Sequence, residues 1–460
     1  MGVFVPLLCS QSKTERNEHL MLRKIVISVL AMTVLFRAPV EPDLGVETMV
    51  SEFSSQTGCK NVSVVVYDNG EFSYYGDSEG LYQIGSMTKS FTGLAVQKLI
   101  NEGTLSGEDT VSDLIPGFKA FYDSSETEIK VDDLLKQRSG YTNSETDFPS
   151  ATEDMTLQEW AESISGKELK SMPGTEYSYS NVNYNLLGVI IENVTGISYR
   201  EYMEENILVP YGLDSTYAGV PRDSERIVEG SRLGFRNVFE FKVPVREGSI
   251  PAGYFYSDAE DIGIWLKAWI ENTDADMDAV IGELKNEGDC YAGWERFEDD
   301  VIGHSGGTPN YSSRMVFSRS RGIGVCVLTN LNVAATTDSL CNSVFAEVSG
   351  MRSEGLICDV WTVFDIIFSS VSVLGALVLV VALCIKKKGM MIFLGSLFLI
   401  AEVLILILFP LIFGAGIKDI ALIWAPWSFL AGILIMAADV LIIGIKLIVV
   451  KVNEGRAKTG

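Results

Sequence analysis

Three apolar runs in the C-terminal quarter constrain this chain more than any other feature. Residues 366–385 contain no charge, residues 390–413 only Glu402, and residues 420–445 only Asp439. At ~1.5 Å per helical residue, each run can cross a hydrocarbon core ~30 Å thick. A buried core helix rarely runs so far without a polar face. The pattern therefore predicts three transmembrane helices at about 366–385, 390–413 and 420–445.

The charges around these runs predict an orientation. Lys386, Lys387 and Lys388 fill the first connection, and Lys451, Arg456 and Lys458 follow the last run, whereas the other connection, 414–419, has Lys418 as its one basic residue. The positive-inside rule places the triple-lysine loop and the C-terminus in the cytoplasm. Trp361, Trp424 and Trp427 then fall at the opposite interface, where aromatic belts form. At the other end of the chain, Arg23 and Lys24 precede the apolar segment 25–36, which reads as a signal peptide or signal anchor. Arg37-Ala38-Pro39 makes a poor cleavage site, so retention as a fourth helix is compatible with the pattern, and Met21 is an alternative start.

Between a leader (1–38) and a membrane domain (352–460) lies a body of residues 39–351. The whole chain carries a net charge of −24, and the body concentrates it, with 22 basic against 51 acidic side chains. Such acidity excludes nucleic acid as a natural partner and, with the orientation above, makes the body extracytoplasmic. Seven scattered Cys, no Cys-x-x-Cys pair and only two His leave no zinc constellation, and no cofactor is expected.

Within the body, 61–67 is a β-branched run, Asp68-Asn69-Gly70 a hairpin turn and 71–75 the returning strand. Residues 314–317 and 322–329 flank a second turn in the same way. Helical patterns cover 87–102, 185–194, 199–206 and 258–272. The fold class is α+β, an antiparallel sheet assembled from the two ends of the body around an α-rich middle.

Chemistry concentrates at Ser86-Met87-Thr88-Lys89, which opens the first long helix. Positions i and i+3 share a face, so the Lys89 amine lies within reach of the Ser86 hydroxyl. A Ser hydroxyl needs a base, and Lys acts as one only when burial or neighbouring charge keeps it neutral. Met87, Phe91, Leu94 and Ala95 follow the helical period and should bury this face. Ser-x-x-Lys alone discriminates little, since Ser10–Lys13 repeats it in the leader, and Tyr-x-Asn occurs at Tyr67, Tyr141 and Tyr179. Order and context decide.

The segment 84–92 around Ser86 and Lys89 resembles the nucleophile motif of the class C β-lactamase and penicillin-binding-protein superfamily. Residues 134–141 resemble its "LL…SGL" segment. Pro173-Gly174-Thr175 with Tyr179-Ser180-Asn181 resembles its second catalytic block, Pro251-Ala252-Gly253 its later loop, and Gly303-His304-Ser305-Gly306-Gly307 its third motif. The likeness runs over roughly 45–350 in the right order. It implies a β-lactamase/DD-peptidase-like antiparallel sheet flanked by helices, with an α-rich subdomain.

It also implies roles. Ser86 would attack a carbonyl to form an acyl-enzyme, and Lys89 and Tyr179 would share base and acid duties. The phenol, near pKa ~10, is expected to be lowered by an adjacent ammonium. Asn181 would bind a substrate amide, and the backbone N–H groups of Ser86 and Gly307 would form the oxyanion hole. Gly306 would allow the strand close to the ligand. His304, where many relatives have Lys, is mostly neutral at pH 7 unless an acid raises it. That disfavours penicillin hydrolysis and favours a peptidase, amidase or esterase. Asn310 stands where relatives often have Gly and is expected to tolerate the left-handed region.

The leading expectation is a membrane-anchored extracytoplasmic serine hydrolase acting on amide or ester bonds of a peptide-like or D-amino-acid-containing small substrate, with the lipid bilayer as its other partner. A second is a prodrug-activating N-acyl-D-amino-acid peptidase of natural-product maturation, because a body of this superfamily followed by three helices also resembles those enzymes. A third is a non-enzymatic penicillin- or envelope-binding sensor. Oligomeric state has no sequence signal.

Overall fold

The computed structural model describes residues 45–459 except 145–146, 223, 272–273 and 385–386, with side chains to residue 454. The leader features, including Met21 and the 25–36 run, lie outside the described residues. Two compact units emerge, one of residues up to 231 together with 240–359, the other of 232–239 together with 360–460.

In the first unit, α1 (Val46–Thr57) leads into β1 (Val62–Asp68) and β2 (Glu71–Gly76). A 3₁₀ turn, Gly85–Met87, opens α2 (Thr88–Asn101). After an α-rich middle containing α3 (Asn181–Thr195) and α4 (Ala259–Glu271), the chain returns through β3 (Cys290–Tyr291), β4 (Trp294–Arg296), β5 (Ile302–Thr308), β6 (Tyr311–Ser318) and β7 (Ile323–Thr329), then α5 (Ala334–Val348). Among the described residues the main sheet runs β3-β4-β5-β6-β7-β1-β2, antiparallel throughout. Pairing of β1 with β7 joins the two ends of the body, from Val62 opposite Thr329 to Asp68 opposite Ile323.

β1 is buried from Val62 to Tyr67. Helix α4 lies against Val65, where a Cβ on Gly263 would come 3.0 Å from the Val65 side chain. The opposite face carries α5, which the Cys341 thiol ties to β6 and β7 carbonyls. A strand covered on both faces reads as a continuous apolar run rather than an alternating one, which is why 61–67 looks as it does. Helix α2 is likewise enclosed, with Thr88 through Gln97 all buried rather than one stripe alone. Phe91 stacks on Trp265 of α4 at 4.2 Å. Of the cysteines described, Cys59, Cys326, Cys341 and Cys358 are buried and unbridged, as small apolar residues would be.

The second unit holds three helices long and apolar enough to cross a membrane: α6 (Val360–Cys384), α7 (Lys388–Phe413) and α8 (Trp427–Thr459), with spans at Val360–Cys384, Lys388–Phe413 and Trp427–Glu454. Two boundaries differ from the sequence reading. Helix α6 starts six residues before Ile366 and includes Asp365. The third run does not form one helix from Ile420, because a π-turn (Ile420–Trp424) ends at Ala425 in extended backbone and α8 begins after Pro426. Proline supplies no N–H and pushes the residue before it out of the helical region. Trp361 stacks on Phe413 at 4.9 Å, pairing the start of α6 with the end of α7. At the other end Lys446 reaches the carbonyls of Ala382 and Leu383, and Lys388 pairs with Glu454 at 3.3 Å.

Candidate active site

Ser86 sits on the tight turn entering α2, and its position depends on Gly85. Gly85 has φ +52°, and a Cβ there would come 2.5 Å from the Gly307 nitrogen. Reciprocally, a Cβ on Gly306 would come 2.0 Å from the Ile84 carbonyl oxygen. These two glycines let the turn and strand β5 touch backbone to backbone. The Ser313 hydroxyl on β6 fastens the contact by donating to the Ile84 carbonyl at 2.7 Å. Gly307 is exposed, with open space above its Cα.

One turn after Ser86, Lys89 is fully buried. Its Nζ lies 3.0 Å from Ser86 Oγ, 2.8 Å from Asn181 Oδ1 and 2.6 Å from the Ala252 carbonyl oxygen. Burial lowers its pKa well below 10.5. A neutral amine has two N–H donors and one lone pair. In that form the Asn181 Oδ1 and Ala252 carbonyl acceptors would take the two donors and leave the lone pair to the Ser86 hydroxyl, whereas the ammonium donates to all three oxygens.

Ser86 Oγ also meets the Tyr179 hydroxyl at 2.6 Å. The sequence reading expected an ammonium to lower this phenol. The structure reverses that: burial raises Tyr179, outweighing the hydrogen bond to Ser86, and Lys89 is itself depressed. Tyr179 therefore keeps its proton and donates to Ser86 Oγ.

Tyr179 and Asn181 flank Ser180, the N-cap of α3. Gln137 holds this corner, its side chain accepting from the Ser180 N–H at 2.9 Å and from Asn183 Nδ2, while its own carbonyl accepts from the Ser178 N–H at 2.8 Å. The Ser139 hydroxyl donates to Asn183 Oδ1 at 2.5 Å. The 134–141 segment thus acts as the brace for the phenol, a role no local pattern in it announces.

His304 on β5 lies near Tyr179, ring centroids 6.3 Å apart, with Nδ1 2.6 Å from the Ser305 carbonyl. Burial first, then Lys89, lower its pKa from 6.5 to about 3 against that hydrogen bond. The ring is neutral, with Nδ1 as donor and Nε2 left as acceptor. Asn310 does not adopt the left-handed region that was expected to accommodate it. Its side chain donates instead to the Phe241 carbonyl at 2.9 Å.

The structure thus gathers Ser86, Lys89, Tyr179 and Asn181 into one hydrogen-bonded cluster, with His304, Gly306 and Gly307 along its edge. Sequence reasoning missed the Ala252 carbonyl and Cys290. The first follows from the Pro251–Gly253 turn, which is pinned when Thr92 Oγ1 donates to the Pro251 carbonyl at 2.7 Å. Cys290 lies by Lys89 and Tyr177, its thiol pushed up to about 12 by burial, and nothing in its surroundings in the sequence marks it.

The beta-lactamase family model matches residues 46–346. This chain belongs to the beta-lactamase family. Beta-lactamase-family relatives include the protein flp of Staphylococcus aureus strain MW2, 33% identical over 264 residues covering 55% of this chain and 53% of that one. A putative D-alanyl-D-alanine carboxypeptidase of Escherichia coli K12 is 36% identical over 148 residues, covering 30% of this chain and 33% of that protein. The chain thus spans about half or less of the length of these relatives. Among solved structures, the octameric penicillin-binding protein homologue of Pyrococcus abyssi superposes with TM-score 0.60 at 24% identity, over 68% of this chain and 78% of that one. A D-stereospecific amidohydrolase of Streptomyces gives 0.56 at 21%, over 68% and 100%. These similarities establish the fold; substrate choice lies in the site.

Proposed function

We propose that this beta-lactamase-family chain is a membrane-anchored, extracytoplasmic serine hydrolase that cleaves amide or ester bonds of peptide-like, D-amino-acid-containing small molecules through an acyl-enzyme on Ser86. The observation that carries the reading is the setting of Lys89, buried and within hydrogen-bond distance of Ser86 Oγ, Asn181 Oδ1 and the Ala252 carbonyl, so that once it is neutral the latter two can take its donors and leave its lone pair to Ser86.

Lys89 removes the Ser86 proton as Oγ attacks the substrate carbonyl. The oxyanion forms against the amides of Ser86 and Gly307, a reading supported by the close approach of the Ser86 turn to β5, where a Cβ on Gly85 would come 2.5 Å from the Gly307 nitrogen; each such donor contributes ~10²–10³ in rate in comparable sites. Tyr179, protonated and on Ser86 Oγ, passes its proton to the leaving nitrogen or oxygen, which departs as a neutral amine or alcohol, and the phenolate this creates recovers a proton from the Lys89 ammonium, returning both groups to their neutral forms. Water then retraces the path to release the acid. Asn181 is expected to shift its amide toward the substrate, and neutral His304 Nε2 accepts a substrate N–H rather than pairing with a carboxylate. The extracytoplasmic assignment is supported by the lysine asymmetry around the three spans.

The test is covalent labelling of the full chain in membranes with a fluorophosphonate. Labelling of wild type and its loss in Ser86→Ala is the expected result; equal labelling of both, or of neither, overturns the reading.

A further inference from the structure

The hairpin of residues 231–240, whose strands are Ser231–Gly234 and Asn237–Glu240, packs into the unit of the three apolar helices at its residues 232–239. Its tip residues Phe235 and Arg236 are both left-handed, at φ +52° and +59°. A two-residue hairpin turn of that kind favours Asn-Gly, and a Phe-Arg pair adopts it only if something outside the turn holds it there. Asp365 of α6 does so: its two carboxylate oxygens accept the N–H groups of Phe235 at 2.9 Å and Arg236 at 2.6 Å, and Ser428 of α8 donates to it at 2.6 Å.

Arg232 completes the clamp. The π-turn before Pro426 strands its last carbonyls, because the next helix cannot supply N–H groups to them. Arg232, 2% exposed, donates to two carbonyls of the π-turn and to that of the residue after it: Nη2 to Ala421 at 2.7 Å, Nη1 to Leu422 at 2.7 Å and Nε to Ala425 at 2.5 Å. Its guanidinium also lies 4.2 Å from the ring centroid of Trp427. Asp365 and Arg232 are thus both nearly buried, and each makes several hydrogen bonds to main-chain groups.

The base of the same hairpin grips the turn that follows the oxyanion strand. Ser231 N–H donates to the Asn310 carbonyl at 3.1 Å, Asn310 Nδ2 to the Phe241 carbonyl at 2.9 Å, and Tyr311 OH to the Val228 carbonyl at 2.8 Å. Gly230 fits so tightly there that a Cβ would come 2.1 Å from Asn310 Nδ2. Thr308, one residue after Gly307, accepts from the Tyr311 N–H at 3.1 Å.

We infer that Arg232 and Asp365 are positioning residues for the hydrolytic site: by clamping the hairpin tip they hold, through its covalently continuous base, the 308–311 turn and with it the Gly306–Gly307 oxyanion segment. The catalytic part of this inference rests on the hydrolase reading above; the mechanical part does not.

The experiment uses the full chain in lipid nanodiscs, with Arg232→Ala, Asp365→Ala and Arg232→Lys. Hydrogen exchange is followed in peptides spanning 228–241 and 303–313, alongside turnover of a neutral activated ester. Either alanine variant should speed exchange in both peptides and lower kcat about tenfold or more, as misplaced oxyanion donors do, with KM changed by less than about twofold. Arg232→Lys should recover part of the loss. Replacing the tip by Asn-Gly (Phe235→Asn, Arg236→Gly) guards against simple misfolding. That tip holds its own turn, so Asp365→Ala should cost less exchange protection in this background. Faster exchange confined to 228–241, with 303–313 protected and kcat unchanged, overturns the inference. Coupled exchange in a chain whose wild type shows no Ser86-dependent turnover would instead count against the hydrolase reading alone.

Discussion

Burying an amine whose hydrogen-bond partners are all neutral costs stability, and Lys89 is such an amine. Between its lowered folded pKa and 10.5 the unfolded chain binds one more proton than the folded one. Stability from this site therefore rises with pH across that window and is lost as pH falls through the folded pKa. Lys89→Met should abolish turnover, raise the thermal midpoint by an amount equivalent to about 1 kcal/mol or more, and flatten its pH dependence, read by thermal denaturation across pH. Acylation should track the same group, rising as pH climbs through the Lys89 pKa and levelling off below the range where phenols ionise, because the proposed mechanism uses Tyr179 as an acid and its pKa is raised. Tyr179→Phe should retain Ser86 labelling by reagents with good leaving groups while losing ~10²–10⁴ in rate toward amides, where the leaving group needs its proton. A labelling rate that rises only in the phenol range would contradict this assignment of base and acid.

At the scale of elements, the touching backbones of the Ser86 turn and β5 make two positions intolerant of any side chain. Gly85→Ala and Gly306→Ala should each lower acylation by ~10² or more, since a shift of about 1 Å in the oxyanion donors is enough. Gly282→Ala, at a helical glycine with open space around it, should leave the rate unchanged and stabilise slightly. Stopped-flow labelling of the three variants distinguishes a packing requirement at the site from general sensitivity to glycine replacement. The same elements explain what the sequence made legible. Ser86 and Lys89 could be paired because helical spacing is local, and β1 with its hairpin could be read because β-branched runs and Asp-Asn-Gly are local signals. The Ala252 carbonyl, the Gln137 brace and the Cys290 thiol reach the cluster through contacts between distant segments, and a main-chain carbonyl has no signature of its own in an amino-acid string. Strand β5 was anticipated through Gly306 but β3 and β4 were not, being two and three residues long.

For the whole molecule, hydropathy located the three apolar helices but misplaced their edges, for physical reasons. Asp365 looked like a boundary because it is charged, yet it lies inside α6, its carboxylate satisfied by the N–H groups of Phe235 and Arg236. Residues 420–424 looked like the start of a span because they are apolar, yet Pro426 separates them from α8. Asp439 poses the opposite problem. It is fully buried against α6, where Gly375 allows close approach, and neither carboxylate oxygen has a hydrogen-bond partner. Leaving a polar group so placed is costly. Asp439→Leu should raise the thermal midpoint of the full chain in nanodiscs while leaving Ser86 labelling unchanged; a loss of labelling would give this acid a working role.

The uncharged imidazole at position 304 bears on how such a chain could be blocked. Penicillins and many related suicide inhibitors carry an anionic tail, and this side chain has no fixed positive charge to greet it. Boronic acids or activated carbamates with uncharged, amide-bearing tails would exploit the serine and the oxyanion donors without that mismatch. Antibiotic scaffolds stripped of their acid group are accordingly the better starting point for a selective chemical probe.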